Sequence, residues 1–271
     1  MATYVRPHVI ALLTDFGWED PYVGCVKGAI MKLNPSVQVL DVCHTLPAHD
    51  IAAASFLLGC VYRDFPEKTI FVCVVDPGVG SERPVLIATV GLRYFIAPDN
   101  GLLTTVLEDP DIGSVIRATE AHYFSPSPSP TFHARDIMAP LAGWITKNVA
   151  IENMGERSTE YTKIEIPKPR LLGGALIQGR ISMIDRFGNC ITNISRQHVE
   201  AVTGTGKKFS KIVVNGREIT TFCEYYAQSP GASHPVCLFG SLGYLEVACN
   251  QGSACATLGV NVGAEVGLVF D

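Results

Sequence analysis

HVIALLTDFG at residues 8–17, VQVLDV at 37–42 and TIFVCVVDPG at 69–78 are three short aliphatic runs, two of which end in a polar turn. Each has the near-continuous apolar character that a buried parallel strand requires. Between the first two, Val23, Val26, Ile30 and Met31 recur at helical spacing until Asn34-Pro35 stops the pattern. Between the second and third, Asp50 is a good N-cap for a helix carrying Ile51, Ala54, Phe56, Leu57 and Val61. The series β-α-β-α-β predicts an α/β N-terminal domain over residues 1–165 with a mostly parallel sheet. Further strands are expected at 85–89 and 94–97, and helical segments at 101–108 and 136–147. SPSPSP at 125–130 must be an extended loop, because alternate prolines suit neither a helix nor a central strand.

The texture changes after the Pro167, Pro169 and Gly173-Gly174 interruptions of residues 155–174. Strand patterns follow at 175–185, 190–194, 212–214, 217–220, 236–239 and 244–248, with no clear long helix. Asn215-Gly216 between two β-prone runs signals a hairpin, since both central residues of a type I′ turn need positive φ. A small all-β, barrel-like C-terminal domain over residues 174–271 is expected.

Of the 271 residues 47% are hydrophobic and only 17% charged, which excludes intrinsic disorder. A net charge of −5 without a basic cluster argues against nucleic acid as a partner. The apolar stretch at 51–62, closed by Asp50 and Arg63, is too short to span a membrane. The N-terminal residues lack a leader pattern, with Asp15 inside the apolar segment and no small-residue cleavage site. Nine cysteines, an odd number without C-x-x-C, read as buried reduced thiols and a cytoplasmic chain. No metal-ligand spacing occurs, so no catalytic metal is expected.

Ligands of open α/β sheets bind beyond the carboxyl ends of strands. Those ends carry Asp15, then Asp76 through Arg83, then Asp99-Asn100. An aspartate there can accept both hydroxyls of a ribose, or can merely cap a turn. The glycines at 78 and 80 lack the Lys-Ser/Thr of a phosphate loop, and instead let the chain turn so that Asp76 and Arg83 face one cleft. Ser81 is outside any nucleophile elbow. His133 follows the rigid Ser-Pro loop and precedes a helix, which makes it the leading histidine; His44 and His49 read as loop or capping residues. His8, His122, His198 and His234 have no chemical context. In DRFGN at 185–189, Phe187 can stack on a base and Asn189 can pair with an adenine edge through donor and acceptor together, unless this is an ordinary turn. The stretch 239–248 offers hydroxyl, backbone and carboxylate groups to a polar ligand, or is a kinked strand.

LLTDFGWED-x-YVG, VVDPGVGSERP, APDNGLLT, TFHARDIMAPLA, IDRFGNCITNI and GSLGYLEVA-x-NQGSA occur in order along nearly the whole chain. Together they resemble the S-adenosyl-L-methionine (SAM) hydroxide adenosyltransferases, or SAM hydrolases, relatives of the SAM-dependent fluorinase and chlorinase. The resemblance implies an α/β domain, a β-barrel domain and a homotrimer with active sites between subunits. It implies hydrolysis of SAM to adenosine and L-methionine, with SAM as the small-molecule partner and no cofactor, nucleic acid or membrane. Asp76, Arg83 and His133 match the family's catalytic triad. The halogenases have Tyr at the position of Asp76, a halide-binding Ser at that of Ala134, and an extra loop for which 83–95 leaves no room. The resemblance assigns Asp15 to the ribose, Phe187, Asn189 and the backbone from Ala248 through Asn250 to Gln251 to adenine, and Asp185 and Ser241 to the amino-acid portion. Asp20, Tyr22 and Glu246 complete the implied substrate-binding set. Leu242 stands where the halogenases carry Arg. A halogenase and a non-catalytic SAM- or adenosine-binding protein are the alternatives.

Overall fold

The computed structural model describes residues 9–271; His8 and the leader reading of the N-terminus lie outside the described residues. The chain forms two compact units, Met1–Ile166 and Pro167–Asp271.

In chain order, the first unit comprises β1 (Val9–Thr14), α1 (Tyr22–Leu33), β2 (Gln38–Cys43), α2 (Ile51–Val61), β3 (Thr69–Val74), β4 (Val85–Val90), β5 (Arg93–Pro98), α3 (Thr104–Leu107), β6 (Ile112–Ala118), α4 (Ala139–Thr146) and β7 (Gly155–Arg157). The strands form a seven-stranded sheet in the order β2-β1-β3-β5-β4-β6-β7. Successive side chains of each strand point to opposite faces. Ile10 and Leu12 of β1 therefore join Val26 and Ile30 of α1 and Leu141 of α4 in one core. Ala11 and Leu13 join Ala54 and Leu58 of α2 and Val106 of α3 in the other. Phe71 and Phe95, both fully buried, stack at 5.0 Å in that second layer. Truncating either costs about 3–5 kcal/mol, so the strand ends rise from a rigid platform.

The sheet is mixed, not mostly parallel. Pairings β1–β2, β1–β3 and β3–β5 are parallel, whereas β4–β5, β4–β6 and β6–β7 are antiparallel. Only Gly91 and Leu92 separate β4 from β5, too few residues for the crossover that parallel neighbours need. Asp50 caps α2 as expected, accepting the Ala53 N–H at 2.8 Å. Met31, read as part of the buried stripe of α1, is 52% exposed. The chain leaves β1 for β2 on one side and returns to β3 on the other. That reversal opens a crevice beyond the carboxyl ends of β1 and β3.

The second unit comprises β8 (Arg170–Leu172), β9 (Leu176–Ile184), β10 (Cys190–Ser195), α5 (Arg196–Thr203), β11 (Phe209–Val214), β12 (Arg217–Ile219), β13 (Val236–Phe239), β14 (Tyr244–Ala248), α6 (Ala254–Leu258) and β15 (Glu265–Phe270). All pairings of these strands are antiparallel, in the order β12-β11-β15-β9-β10-β14-β13, with β8 on β9. A bridge from Phe222, just past β12, to Cys237 in β13 nearly closes the sheet into a barrel. Asn215 and Gly216 both have positive φ in the β11–β12 hairpin, as that turn demands. Ser195 and His198 form a reciprocal capping box at α5, which gives His198 a structural role.

Candidate active site

Asp15 and Asp76 emerge side by side at the carboxyl ends of β1 and β3 and line one cleft of about 390 Å³ with His133. Arg83 returns along its own loop to grip Asp76 with two prongs, Nε to Oδ1 at 2.7 Å and Nη2 to Oδ2. The same Nη2 donates to His133 Nδ1 at 3.2 Å. A guanidinium has only donors, so His133 Nδ1 must be an acceptor and the ring proton resides on Nε2. Burial, and then the Arg83 charge, hold the His133 pKa below the ordinary histidine value, with Asp76 and Asp136 opposing. The imidazole is thus neutral near pH 7, with Nε2–H as a donor. The arrangement differs from the expectation for Arg83. Its side chain is only 10% exposed and does not line the cleft. Its charge is already shared with Asp76, and it stands behind Asp76 and His133.

Two loops must meet to build this chain of contacts. Gly80 has φ +84, and a Cβ there would lie 2.2 Å from the carbonyl oxygen of Pro130. Only glycine lets the Asp76–Arg83 loop approach the end of the Ser-Pro loop this closely. The Ser-Pro loop is braced in turn by Asp136, whose carboxylate accepts the Ser129 N–H at 2.9 Å and whose carbonyl accepts that of Ser125 at 2.8 Å. The hydrogen bond from Arg135, outweighing burial, keeps the Asp136 pKa below the ordinary range. The helix expected from 136 begins earlier, as a π-helical turn over Ala134–Met138 directly after His133.

Asp15 Oδ2 accepts the backbone N–H of His49 at 2.9 Å, and His49 itself has φ +66. Strain at such a residue is held by its surroundings. His44, earlier in the same connection, is buried rather than a free loop residue. Its Nε2 contacts Asp41 at 2.9 Å and its Nδ1 contacts the Thr14 hydroxyl at 2.7 Å. Burial raises the Asp41 pKa, but Lys27 and His44 outweigh it and leave the group below its ordinary value. Asp41 is therefore ionised and accepts from His44 Nε2, while His44 Nδ1 shares a hydrogen bond with the Thr14 hydroxyl. Gly17 N–H closes the clamp on the His44 carbonyl at 2.6 Å. Tyr22 lines the cleft with Phe16 and Phe132, whereas Asp20 is exposed and outside the lining.

The second unit has a cleft of its own, about 710 Å³, lined by Asp185, Phe187, Asn189, Ser241, Leu242, Glu246, Asn250 and Gln251 among others. Phe187 is 75% exposed, an aromatic face without a ring partner among the described residues. Asp185 is largely occupied by its own turn: Oδ1 accepts the N–H groups of Phe187 and Asn189, and Oδ2 accepts Asn189 Nδ2, at 2.8–2.9 Å. Asn189 gives one of its two Nδ2 hydrogens to Asp185, which leaves the other hydrogen and Oδ1 for a base edge. Ala248 is fully buried in β14, paired with Val236, and does not line the cleft. Tyr226, which the sequence reading missed, lines it and donates to Glu246 Oε2 at 2.8 Å. Its only sequence signal is the exposed doublet Tyr225-Tyr226, which says nothing of a partner twenty residues later.

Among the described residues no group of three or more His, Cys, Asp or Glu side chains is placed to hold a metal ion. All nine cysteines are free, and burial pushes the Cys60 and Cys190 thiols up to about 12. Such thiols are poor nucleophiles at neutral pH. No described helix is long and apolar enough to cross a membrane.

The model of the SAM hydroxide adenosyltransferase N-terminal domain matches residues 10–155, and that of the C-terminal domain matches 179–267. A protein of Thermus thermophilus named (R)-S-adenosyl-L-methionine hydrolase is 33% identical, over 98% of this chain and all of its own. A protein of Nocardia brasiliensis named fluorinase is 27% identical, over 96% of each chain. A crystal structure of an uncharacterized conserved protein from Thermotoga maritima superposes with a TM-score of 0.90 at 31% identity, covering 96% of this chain and all of that one.

Proposed function

The chain belongs to the SAM hydroxide adenosyltransferase family, and from that premise we propose that it hydrolyses SAM to adenosine and L-methionine. The observation that carries the reading is the connected Asp76–Arg83–His133 set at the switch-point cleft, with Asp15 beside it. Water attacks C5′ of the ribose opposite the sulfonium; the C5′–O bond forms as the C5′–S bond breaks. The sulfur leaves as a neutral thioether and needs no general acid. Free water, with a pKa of about 15.7, is a poor nucleophile, so its alignment and the removal of its proton matter most. As the C–O bond forms, the attacking oxygen becomes strongly acidic, and a carboxylate suffices to take the proton. Asp76 faces the cleft and serves as that acceptor, while the Nε2–H of neutral His133 orients the water oxygen. Arg83 is a positioning residue that fixes both. Asp15 accepts the ribose hydroxyls and keeps C5′ in line.

In the second cleft, Phe187 stacks on adenine, Asn189 Oδ1 accepts from its amino group, and Ser241 with the free lone pair of Asp185 meets the amino-acid portion. We further propose that one substrate is enclosed by the first-unit cleft of one subunit and the second-unit cleft of a neighbour, in a homotrimer. An exposed aromatic lines each cleft, Tyr22 in the first and Phe187 in the second, as surfaces awaiting a partner do. The free thiols fit a reducing compartment such as the cytoplasm.

The test is incubation of the purified protein with SAM, following adenosine and methionine by chromatography in buffers with and without chloride or fluoride. Equal amounts of adenosine and methionine are expected under all conditions. A 5′-halogenated nucleoside, or binding without methionine release, overturns the reading. The turnover rate is also expected to rise with pH and level off below the ordinary histidine pKa. Protonation of His133 removes the acceptor of Arg83 and sets two positive charges together. A profile flat through that acidic range would remove His133 from the mechanism.

A further inference from the structure

We propose that Glu246, with Tyr226, makes the second cleft prefer a positively charged sulfonium nucleoside over its neutral thioether counterpart and over the neutral reaction products. The inference rests on SAM as the substrate, and adds to it a residue that reads the substrate's charge. Glu246 is only 4% exposed, yet its side chain lines the cleft. Oε2 takes the Tyr226 hydroxyl at 2.8 Å. Oε1 accepts no hydrogen bond among the described residues and is not sealed from the cleft. Gly240 is what makes room for it, because a Cβ there would lie 1.5 Å from Oε1. The neighbouring cleft carboxylate is Asp185, and among the described residues no Lys, Arg or His lines the cleft.

Burial pushes the Glu246 pKa up, and Asp185 adds to this, with the Tyr226 hydrogen bond opposing. A carboxylate kept in that state by a single neutral donor is under-compensated. A cationic ligand supplies the missing compensation, whereas a neutral one does not. Because hydrolysis turns the sulfonium into a thioether, the same device weakens the hold on the products. Leu242 also lines the cleft and brings no charge, so the field of this wall stays acidic.

The experiment compares wild type and Glu246→Gln, which keeps the shape and an acceptor for Tyr226. Three probes are titrated by calorimetry: sinefungin, an amine-bearing and non-hydrolysable analogue of SAM; S-adenosylhomocysteine, the neutral thioether; and adenosine. Wild type is expected to favour the cationic probe over the thioether about tenfold, a difference of about 1.4 kcal/mol. Glu246→Gln is expected to abolish that preference while changing adenosine and thioether affinity less than twofold. Equal weakening of all three probes assigns Glu246 to a shared part of the ligand or to packing, and overturns the proposal. Wild-type protein that binds none of them points instead to failure of the SAM reading itself.

Discussion

Arg83→Ala is expected to lower kcat about a thousandfold, the upper range for removal of one preorganised electrostatic group, while adenosine affinity changes only a few-fold. Arg83 holds Asp76 by two hydrogen bonds and His133 by a third, but is absent from the cleft lining. Its loss frees His133 to turn and leaves the Asp76 side chain, 5% exposed, as a buried charge without its partner. Stranding such a charge costs about 3–5 kcal/mol of stability. Part of any activity loss in the single variant is therefore unfolding, and a second variant separates the two. Asp76→Asn combined with Arg83→Ala is expected to melt above Arg83→Ala alone, because no charge is stranded, and to remain as inactive. Recovery of turnover along with stability would show the pair to be structural. Calorimetric melting and initial rates with SAM provide both readings.

Gly80→Ala is expected to reduce turnover about a hundredfold, the scale associated with a misplacement near 1 Å, with only a modest fall in melting temperature. The glycine combines φ +84 with a Cβ position 2.2 Å from the Pro130 carbonyl oxygen. Alanine must push the Asp76–Arg83 loop from the loop that delivers His133, stretching a contact already at 3.2 Å. Gly91→Ala is the matched control: its φ is +53, but nothing lies within 4 Å of the added Cβ. Both variants carry a similar conformational penalty, of about 1 kcal/mol, and only one separates the loops. Gly91→Ala is expected to retain full turnover. Equal losses in the two would assign the effect to backbone strain alone.

Local patterns revealed much of this molecule because they depend on neighbours in sequence. The aliphatic runs of β1 and β3, the Asp50 cap and the Asn215-Gly216 turn each follow from short-range sterics and hydrogen bonding. The parallel reading failed at β4–β5, where two short strands resemble each other whichever way they run. What settles their direction is the two-residue connection at Gly91-Leu92. His44 looked like a loop residue because its partners, Asp41 aside, come from another strand. Tyr226 was invisible because its role depends on a carboxyl brought to it by β14.

By itself, then, the sequence determined the two textures of the chain and the polar residues at the strand ends. Tertiary structure alone decided which of those polar groups meet. Arg83 proved to stand behind Asp76 and His133, the ring proton to sit on Nε2, one Asn189 amide hydrogen to be held by Asp185, and Glu246 to keep one oxygen open. Each of these is a matter of which donor meets which acceptor within about 3 Å. Spacing along a chain does not encode that; packing of distant segments on a rigid sheet does.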